Sequence, residues 1–313
     1  MASYKTPLRY PGGKQRLWPF IDELLSTNSL LGGHYVEPYA GGAGIAFELL
    51  LRGRVKRLHL NDSCIALYSL WHSILNESER FCRRISRASL TVDEWKKQRE
   101  IFKHRDSADT FDLGFATFYL NRCNRSGILN AGVIGGLAQR GKWKIDARFP
   151  RNDLIRRVEA IAGRKSDIKI RNWDAERFLT KYVPRLPKRT LIYCDPPYFL
   201  KADRLYYNHY KPADHSHLAE VIQLNIQHPW IVSYDYCEEV LCHYQNRKAF
   251  YYRPQYSAAK AYKGAEIFIV CDGLQLPTTS SISAINDGLQ LFRRRGSCTS
   301  TAYRRSGDLL LTA

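Results

Sequence analysis

No stretch of the 313 residues approaches the ~18 consecutive apolar residues that a membrane span requires. No apolar leader stands between Met1 and Arg9, so neither an exported protein nor a membrane protein is expected. The eight cysteines include no CxxC pair. They read as reduced, mostly buried thiols of a cytoplasmic protein, and no metal site is expected. His215 and His217 form an isolated His-x-His on a predicted helix, where they point two ways, so they too are read as non-ligands. Acid is also scarce: 30 Asp and Glu stand against 48 Lys and Arg, a formal net charge of +18. Apolar residues are not lacking. At 44% of the chain they support a real core and exclude a disordered or collagen-like protein. At about 150 residues per domain, the length suggests two domains or one domain with an insert.

The excess charge is concentrated. Residues 80–171 hold 22 basic and 10 acidic side chains, a net +12 in under a third of the chain. Such a concentration favours a polyanionic partner, nucleic acid above all. No basic helix has a clean apolar face opposite its charges, which argues against a membrane surface.

The remainder alternates strands with helices, the pattern of a mainly parallel sheet covered on both faces. Tyr35-Val36 ends a short strand, Gly41-Gly42-Ala43-Gly44 forms a turn, and Ile45–Leu51 a helix. Arg57–Leu60 is the next strand, followed by a helix over Cys64–Leu75. The basic segment is expected to be helical around Asp93–Lys103 and Asp109–Leu120, then loop-like from Asn121 to Phe149. Strands resume at Ile168–Ile170, Thr190–Cys194, Trp230–Ser233 and Ile267–Cys271. Helices are expected near Ala175–Tyr182, Ala213–Ile226 and Glu238–Tyr244. Residues 278–313, with eleven Ser or Thr and two arginine runs, read as a weakly structured basic tail.

Three motifs carry chemistry. Asp195-Pro196-Pro197-Tyr198 directly follows an apolar strand, and the carboxyl end of a parallel strand is where ligands sit. Two prolines make the turn rigid. It then offers a carboxylate, a free carbonyl and an aromatic ring in fixed relation, a set suited to gripping a planar group that bears an NH2. The second motif is the glycine turn after Glu37-Pro38-Tyr39, which lets backbone approach a ligand at a helix N-terminus. Its spacing is not GxGxxG. Asp62 lies 25 residues beyond Glu37 and fits either a ribose-holding acid or a helix N-cap. The third is Tyr10-Pro11-Gly12-Gly13-Lys14, which can bring an ammonium to a carboxylate or phosphate.

Taken in order, Tyr10–Lys14, Glu37–Gly44, the block Asn121-Arg122-Cys123-Asn124-Arg125-Ser126-Gly127, Asp195–Tyr198 and Trp230–Asp235 resemble the Dam-like family of DNA adenine-N6 methyltransferases. The likeness covers about residues 5 to 275. It implies an α/β, Rossmann-like S-adenosylmethionine-dependent methyltransferase sheet with an inserted, mostly helical target-recognition domain. Residues 1–77 and 166–277 would then form the catalytic domain, 78–165 the insert and 278–313 the tail. S-adenosylmethionine is the implied methyl donor, without a metal. Double-stranded DNA is the implied partner of a monomer, with a cognate restriction endonuclease as a candidate companion.

The resemblance also assigns residues. Asp195, Pro196, Pro197 and Tyr198 would be catalytic. Tyr10 and Lys14 would contact the cofactor, with Lys14 near its methionine carboxylate. Glu37, Pro38, Tyr39, Gly41, Gly42 and Gly44 would line the methionine end, Asp62 would hold the ribose and Asp174 the adenine. Arg9, Arg122, Asn124, Arg125 and Lys142 are the candidates for DNA contact. The turn Tyr-Ala-Gly-Gly-Ala-Gly departs from the family's commoner Phe-x-Gly-x-Gly.

Three other readings remain. One is amino methylation of cytosine N4 or of RNA adenine, although Asp at the head of the turn is commonest among adenine-N6 DNA enzymes. Another is a non-catalytic DNA-binding relative, which sits badly with an intact turn. The last is a nicotinamide-dependent dehydrogenase, which leaves the turn and the basic insert unexplained.

Overall fold

The apolar segments form strands where expected. In the computed structural model, which describes residues 6–9, 14–197, 210–235, 237–252, 266–277 and 290–291, five of them pair in parallel. These are β1 (His34–Glu37), β2 (Arg57–Asn61), β3 (Ile168–Arg171), β4 (Thr190–Cys194) and β5 (Trp230–Asp235). Their order across the sheet is β3-β2-β1-β4-β5. Three antiparallel strands extend the far edge: β6 (Lys248–Tyr252), β7 (Glu266–Val270) and β8 (Gln290–Leu291), in the order β5-β7-β6-β8. Gln290 and Leu291, within the segment read as a tail, pair with β6 at the edge of the sheet.

Helices α1 (Trp18–Thr27), α2 (Gly44–Leu51), α3 (Ile65–Asn76), α4 (Ser78–Arg87), α5 (Val92–Lys103), α6 (Thr110–Cys123) and α7 (Arg151–Ala162) precede β3. The short α8 (Ala175–Arg177), then α9 (Pro212–Asn225) and α10 (Glu238–His243), follow it. Strand residues alternate between two buried clusters, one on each face. Tyr35, Leu58, Leu191 and Ile231 face the first, and Val36, Ile192, Val232 and Tyr234 the second. Burial on both faces is why β4 and β5 read as near-continuous apolar runs.

The region between β2 and β3 is helical, as the composition suggests, but it contains two helices beyond those expected, α4 and α7. Thr91 and Asp109 cap α5 and α6 by accepting the amides of Glu94 and of Phe111 and Asp112. Phe81 of α4 meets Phe111, Phe115 and Phe118 of α6 edge-on. α6 lies close against α3 because Gly114 leaves no side chain between them: a Cβ there would stand 2.5 Å from the Ser69 carbonyl oxygen. Six cysteines are free thiols. Cys242 is disulfide-bonded, so the expectation of uniformly reduced thiols fails at that position.

Gly114→Ala should force α3 and α6 apart and lower stability by roughly 1–3 kcal/mol, the usual range for overpacking. Thermal denaturation of the variant checks this, and an unchanged midpoint would contradict the close contact.

Candidate active site

Strand order reverses between β1 and β4, so the chain leaves toward β2 on one side and β5 on the other. In open α/β sheets the crevice outside the carboxyl ends at such a point is the ligand site. Val36 is level with Ile192, so Asp195 stands two positions beyond the level of Glu37, near enough for its charge to act on the Glu37 carboxyl.

Asp195 follows β4 and is held by two side chains, one of them braced by a third. Lys14, on the short helical turn Lys14–Leu17, places its Nζ 2.6 Å from Asp195 Oδ1 and 2.8 Å from Ser233 Oγ. Ser233, on β5, donates its hydroxyl to the same Oδ1 at 2.9 Å. Tyr193 OH lies 2.9 Å from Ser233 Oγ. One hydroxyl has one proton and two lone pairs, so Ser233 donates to Asp195 while accepting from Lys14 and Tyr193. The Lys14 side chain is only 6% exposed and that of Asp195 27%. Lys14 was expected near a cofactor carboxylate, yet here its carboxylate is Asp195. Both bonds to the acid fall on Oδ1, and Oδ2 is the oxygen left to turn outward. Pro196 is buried behind it.

The glycine turn is tied to the same place. Gly41 and Ala43 both adopt positive φ of 46°. The Gly41 amide donates to Asp62 Oδ2 at 2.8 Å, and the Trp71 indole donates to the Gly41 carbonyl at 3.0 Å. A Cβ on Gly44 would stand 2.9 Å from Gln15 Cβ, so this glycine allows the Lys14 segment to lie against α2. Asp62 Oδ1 accepts the Cys64 amide at 2.9 Å. Asp62 is thus first a staple between turn and helix, with a lone pair on each oxygen still to offer. Burial raises its pKa to about 6 while the two amides pull it back. Burial pushes Glu37 up to about 8, with the neighbouring Asp195 carboxylate acting in the same direction.

Asp174 is exposed and caps α8, its Oδ1 accepting the amides of Glu176 and Arg177. Asn61 fixes the rim: its amide nitrogen donates to the carbonyls of Pro38 and Trp173, and its oxygen accepts the Trp173 amide. Pro38 is buried, and Tyr39 OH meets Tyr210 OH at 3.1 Å. Tyr10 and Tyr198 lie outside the described residues. Sequence reasoning gave no role to Tyr193, Ser233, Asn61 or Trp173. A serine and a tyrosine near the carboxyl ends of two apolar strands were the available signal for the first pair.

The expected DNA contacts divide. Arg122 is buried and spent on the carbonyls of Arg148 and Pro7, at 2.6 and 3.4 Å. Burial, with Arg9 and Arg157 nearby, lowers its pKa to about 10. Asn124 is fully buried. It accepts from the Trp95 indole at 2.7 Å and donates to the carbonyls of Ile128 and Leu129. Neither can reach a base, which corrects both assignments: they hold the loop after α6. Arg9 is half-buried, with its guanidinium on the Asn124 carbonyl at 3.1 Å. Arg125 and Lys142 are exposed, as a phosphate contact requires. Arg125 also edges a cavity of about 640 Å³ that is lined by Trp95, Lys96, Arg99, Val133 and Leu137. Among the described residues no cluster of three or more His, Cys, Asp or Glu could hold a metal. His215 bonds the Tyr234 hydroxyl at 3.2 Å, and His217 pairs with Glu176 at 3.1 Å.

Glu37 supplies a test of this electrostatic arrangement. Between its ordinary 4.5 and about 8, the folded protein keeps a proton that the unfolded chain has lost. This group's contribution to stability therefore falls as pH rises across that window. Glu37→Gln should gain thermal stability relative to the unsubstituted protein on going from pH 5 to pH 8.5. A difference that does not change with pH would show that Glu37 is already ionised.

Comparison with known proteins gives the family. The chain is 24% identical over 204 residues to the type II methyltransferase M.MjaIII of Methanocaldococcus jannaschii, covering 61% of this chain and 68% of that one. An rRNA methyltransferase structure, aviRa from Streptomyces viridochromogenes, aligns over 83% of this chain and 85% of its own, at 13% identity and a TM-score of 0.33. That score is too low to bear on function. A family model for D12 class N6 adenine-specific DNA methyltransferases matches residues 10–262, which span all of the Lys14, Glu37, Asp62, Asp195 and Ser233 positions. The chain belongs to the D12 class of N6 adenine-specific DNA methyltransferases.

Proposed function

We propose that this DNA adenine-N6 methyltransferase acts on duplex DNA with S-adenosylmethionine as donor, and that Asp195 and Pro196 hold the amino group that is methylated. The observation that carries this reading is the Lys14–Asp195–Ser233 contact at the head of the Pro-Pro turn, where β1 and β4 part.

The residues at the crevice suit the donor's chemistry. S-adenosylmethionine is cationic at its ammonium and sulfonium, and three carboxylates, Glu37, Asp62 and Asp195, open on one edge of the sheet. Burial opposes the charge of Glu37 and Asp62, and a cation beside them offsets that opposition. On this reading Glu37, Pro38, Tyr39 and the turn Gly41–Gly44 hold the methionine end, with Tyr10 beside them. Asp62 offers its remaining lone pairs to the ribose and Asp174 its second oxygen to the adenine. The bound donor supplies an electrophilic methyl on a positively charged sulfur.

The chain's own residues prepare the substrate nitrogen. The lone pair of adenine N6 is delocalised into the ring and is a poor nucleophile. Asp195 Oδ2 accepts one N6–H and the Pro196 carbonyl the other, which favours a pyramidal nitrogen whose lone pair points at the methyl. The new N–C bond forms as the S–C bond breaks, the sulfur keeping the electron pair, and the surplus N6 proton leaves toward Asp195. Lys14 and Ser233 keep that carboxylate in one orientation, and Pro197 stiffens its turn. Such orientation contributes up to ~7–11 kcal/mol in favourable systems. Adenine inside a duplex must first leave the stack, at a cost of a few kcal/mol. Tyr198 offsets part of that by stacking on the base, worth roughly 1–3 kcal/mol. Residues 78–165, with Arg9, Arg125 and Lys142, supply the contacts to DNA.

Asp195→Ala should abolish methyl transfer to plasmid DNA while leaving measurable donor binding. Ser233→Ala should lower kcat by about tenfold, one hydrogen bond to a charged group, with little change in donor affinity. Labelled donor and single-molecule sequencing of the product test both, and near-normal transfer by Asp195→Ala would end this assignment. Affinity for DNA should fall steeply between low and moderate salt, because phosphate contacts release counterions. A flat profile would remove the basic insert from the DNA-binding surface.

A further inference from the structure

At its methionine end S-adenosylmethionine carries an ammonium and a carboxylate on the same carbon. The acids of the crevice answer only the first of these charges. Glu37, Asp62 and Asp195, once ionised, suit the ammonium and the sulfonium, and none of them suits another carboxylate.

Lys14 would be the natural partner for that carboxylate, but it is engaged elsewhere. Its Nζ lies on Asp195 and Ser233, and its side chain is 6% exposed. Three amides of the glycine turn are also spent. Ala40 donates to the Asn61 carbonyl at 2.9 Å, Gly41 to Asp62 Oδ2 at 2.8 Å and Ala43 to the Ala40 carbonyl at 2.6 Å. A carboxylate taken out of water needs hydrogen-bond donors in return.

Two phenols at the head of the turn have one to offer. Tyr39 OH and Tyr210 OH stand 3.1 Å apart, with their rings edge-on and the centroids 6.2 Å from each other. Each hydroxyl has one proton. The bond between them uses one of the two, and among the described residues no further acceptor meets either hydroxyl. Burial keeps both phenols protonated, pushing Tyr39 well above the ordinary value and Tyr210 up to about 12. Both side chains are nevertheless only half-buried, so the second O–H is open to a ligand.

The pair is braced from behind. Tyr210 directly precedes the start of α9, where the Lys211 amide donates to Asp214 Oδ2 at 2.7 Å. Its ring lies 5.4 Å from that of the buried His215. His215 Nδ1 is 3.2 Å from Tyr234 OH, and Tyr234 follows Ser233 in β5. The strand that orients Asp195 therefore also seats Tyr210. A hydroxyl fixed in advance loses little freedom when it binds.

We propose that Tyr39 and Tyr210 grip the carboxylate of the methyl donor. Tyr39 donates its proton to Tyr210, and Tyr210 donates its own to a carboxylate oxygen at the methionine end. An uncharged hydrogen-bond donor suits this place, because it holds the carboxylate without repelling the ammonium on the same carbon. This rests on the reading of S-adenosylmethionine as the donor bound at the crevice.

Calorimetric titration of the full chain tests the grip, with S-adenosylmethionine and its decarboxylated analogue as the two probes. Tyr210→Phe should weaken S-adenosylmethionine by roughly 10-fold, the loss of one hydrogen bond to a charged group, while changing affinity for the analogue by under about twofold. Tyr39→Phe leaves the donating hydroxyl but removes the bond that orients it, and should weaken S-adenosylmethionine by about threefold. The double variant should bind no more weakly than Tyr210→Phe. An equal loss for both probes would overturn the grip and place the Tyr210 hydroxyl on the donor's nucleoside. Unchanged affinity of Tyr210→Phe for S-adenosylmethionine would also overturn it, and would leave the donor reading intact because wild type binds. Failure of wild type to bind S-adenosylmethionine, with or without plasmid DNA, would sink the donor reading and the grip together.

Discussion

The site depends on the parallel pairing of β1 with β4. That pairing sets Glu37 two positions short of the Asp-Pro-Pro turn, at the point where the strand order reverses. Every other element serves this juxtaposition. β2 brings Asn61 and Asp62 to the same rim, β5 brings Ser233, and the turn before α1 brings Lys14. Five segments far apart in sequence meet at one sheet edge: four parallel strands end there, and the Lys14 turn lies against them.

Charge in the site is arranged by contrast. The chain is strongly basic, yet its crevice collects carboxylates. A basic exterior attracts a polyanion, whereas an acidic interior favours a small cation. Lys14 prevents these two preferences from colliding. By pairing with Asp195 on one oxygen only, it leaves the other as an acceptor. Ser233 then fixes which oxygen is which.

Much of this was legible before the structure. Continuous apolar runs located β1, β2, β4 and β5, and the Asp-Pro-Pro turn announced itself by following one of them. The helices α4 and α7 were missed, although Leu154, Val158 and Ile161 stand at helical spacing in α7. High charge density masked the apolar stripe. Side-chain roles were harder to read. Arg122 and Asn124 have the residue types of base readers, but their partners are backbone carbonyls brought near by a loop whose course no spacing reveals. Lys14 was recognised as an ammonium seeking a carboxylate. Which carboxylate it found depends on contacts across 181 residues of sequence.

Arg122 and Asn124 also show why the loop after α6 needs so much buried polarity. A loop that must present cations and apolar side chains to solvent cannot fold around a core of its own. Its shape comes instead from hydrogen bonds that a buried amide and a buried guanidinium satisfy from within, each donating to carbonyls that no helix or sheet accounts for. Removing either partner strands those carbonyls in a water-poor setting, where an unmet bond costs about 1–3 kcal/mol. The same reasoning applies to Gln139 one turn further on. The exposed residues, Arg125, Lys142 and Trp143, are not the ones that hold the loop in shape. Exposed charge and loop architecture are thus carried by separate side chains.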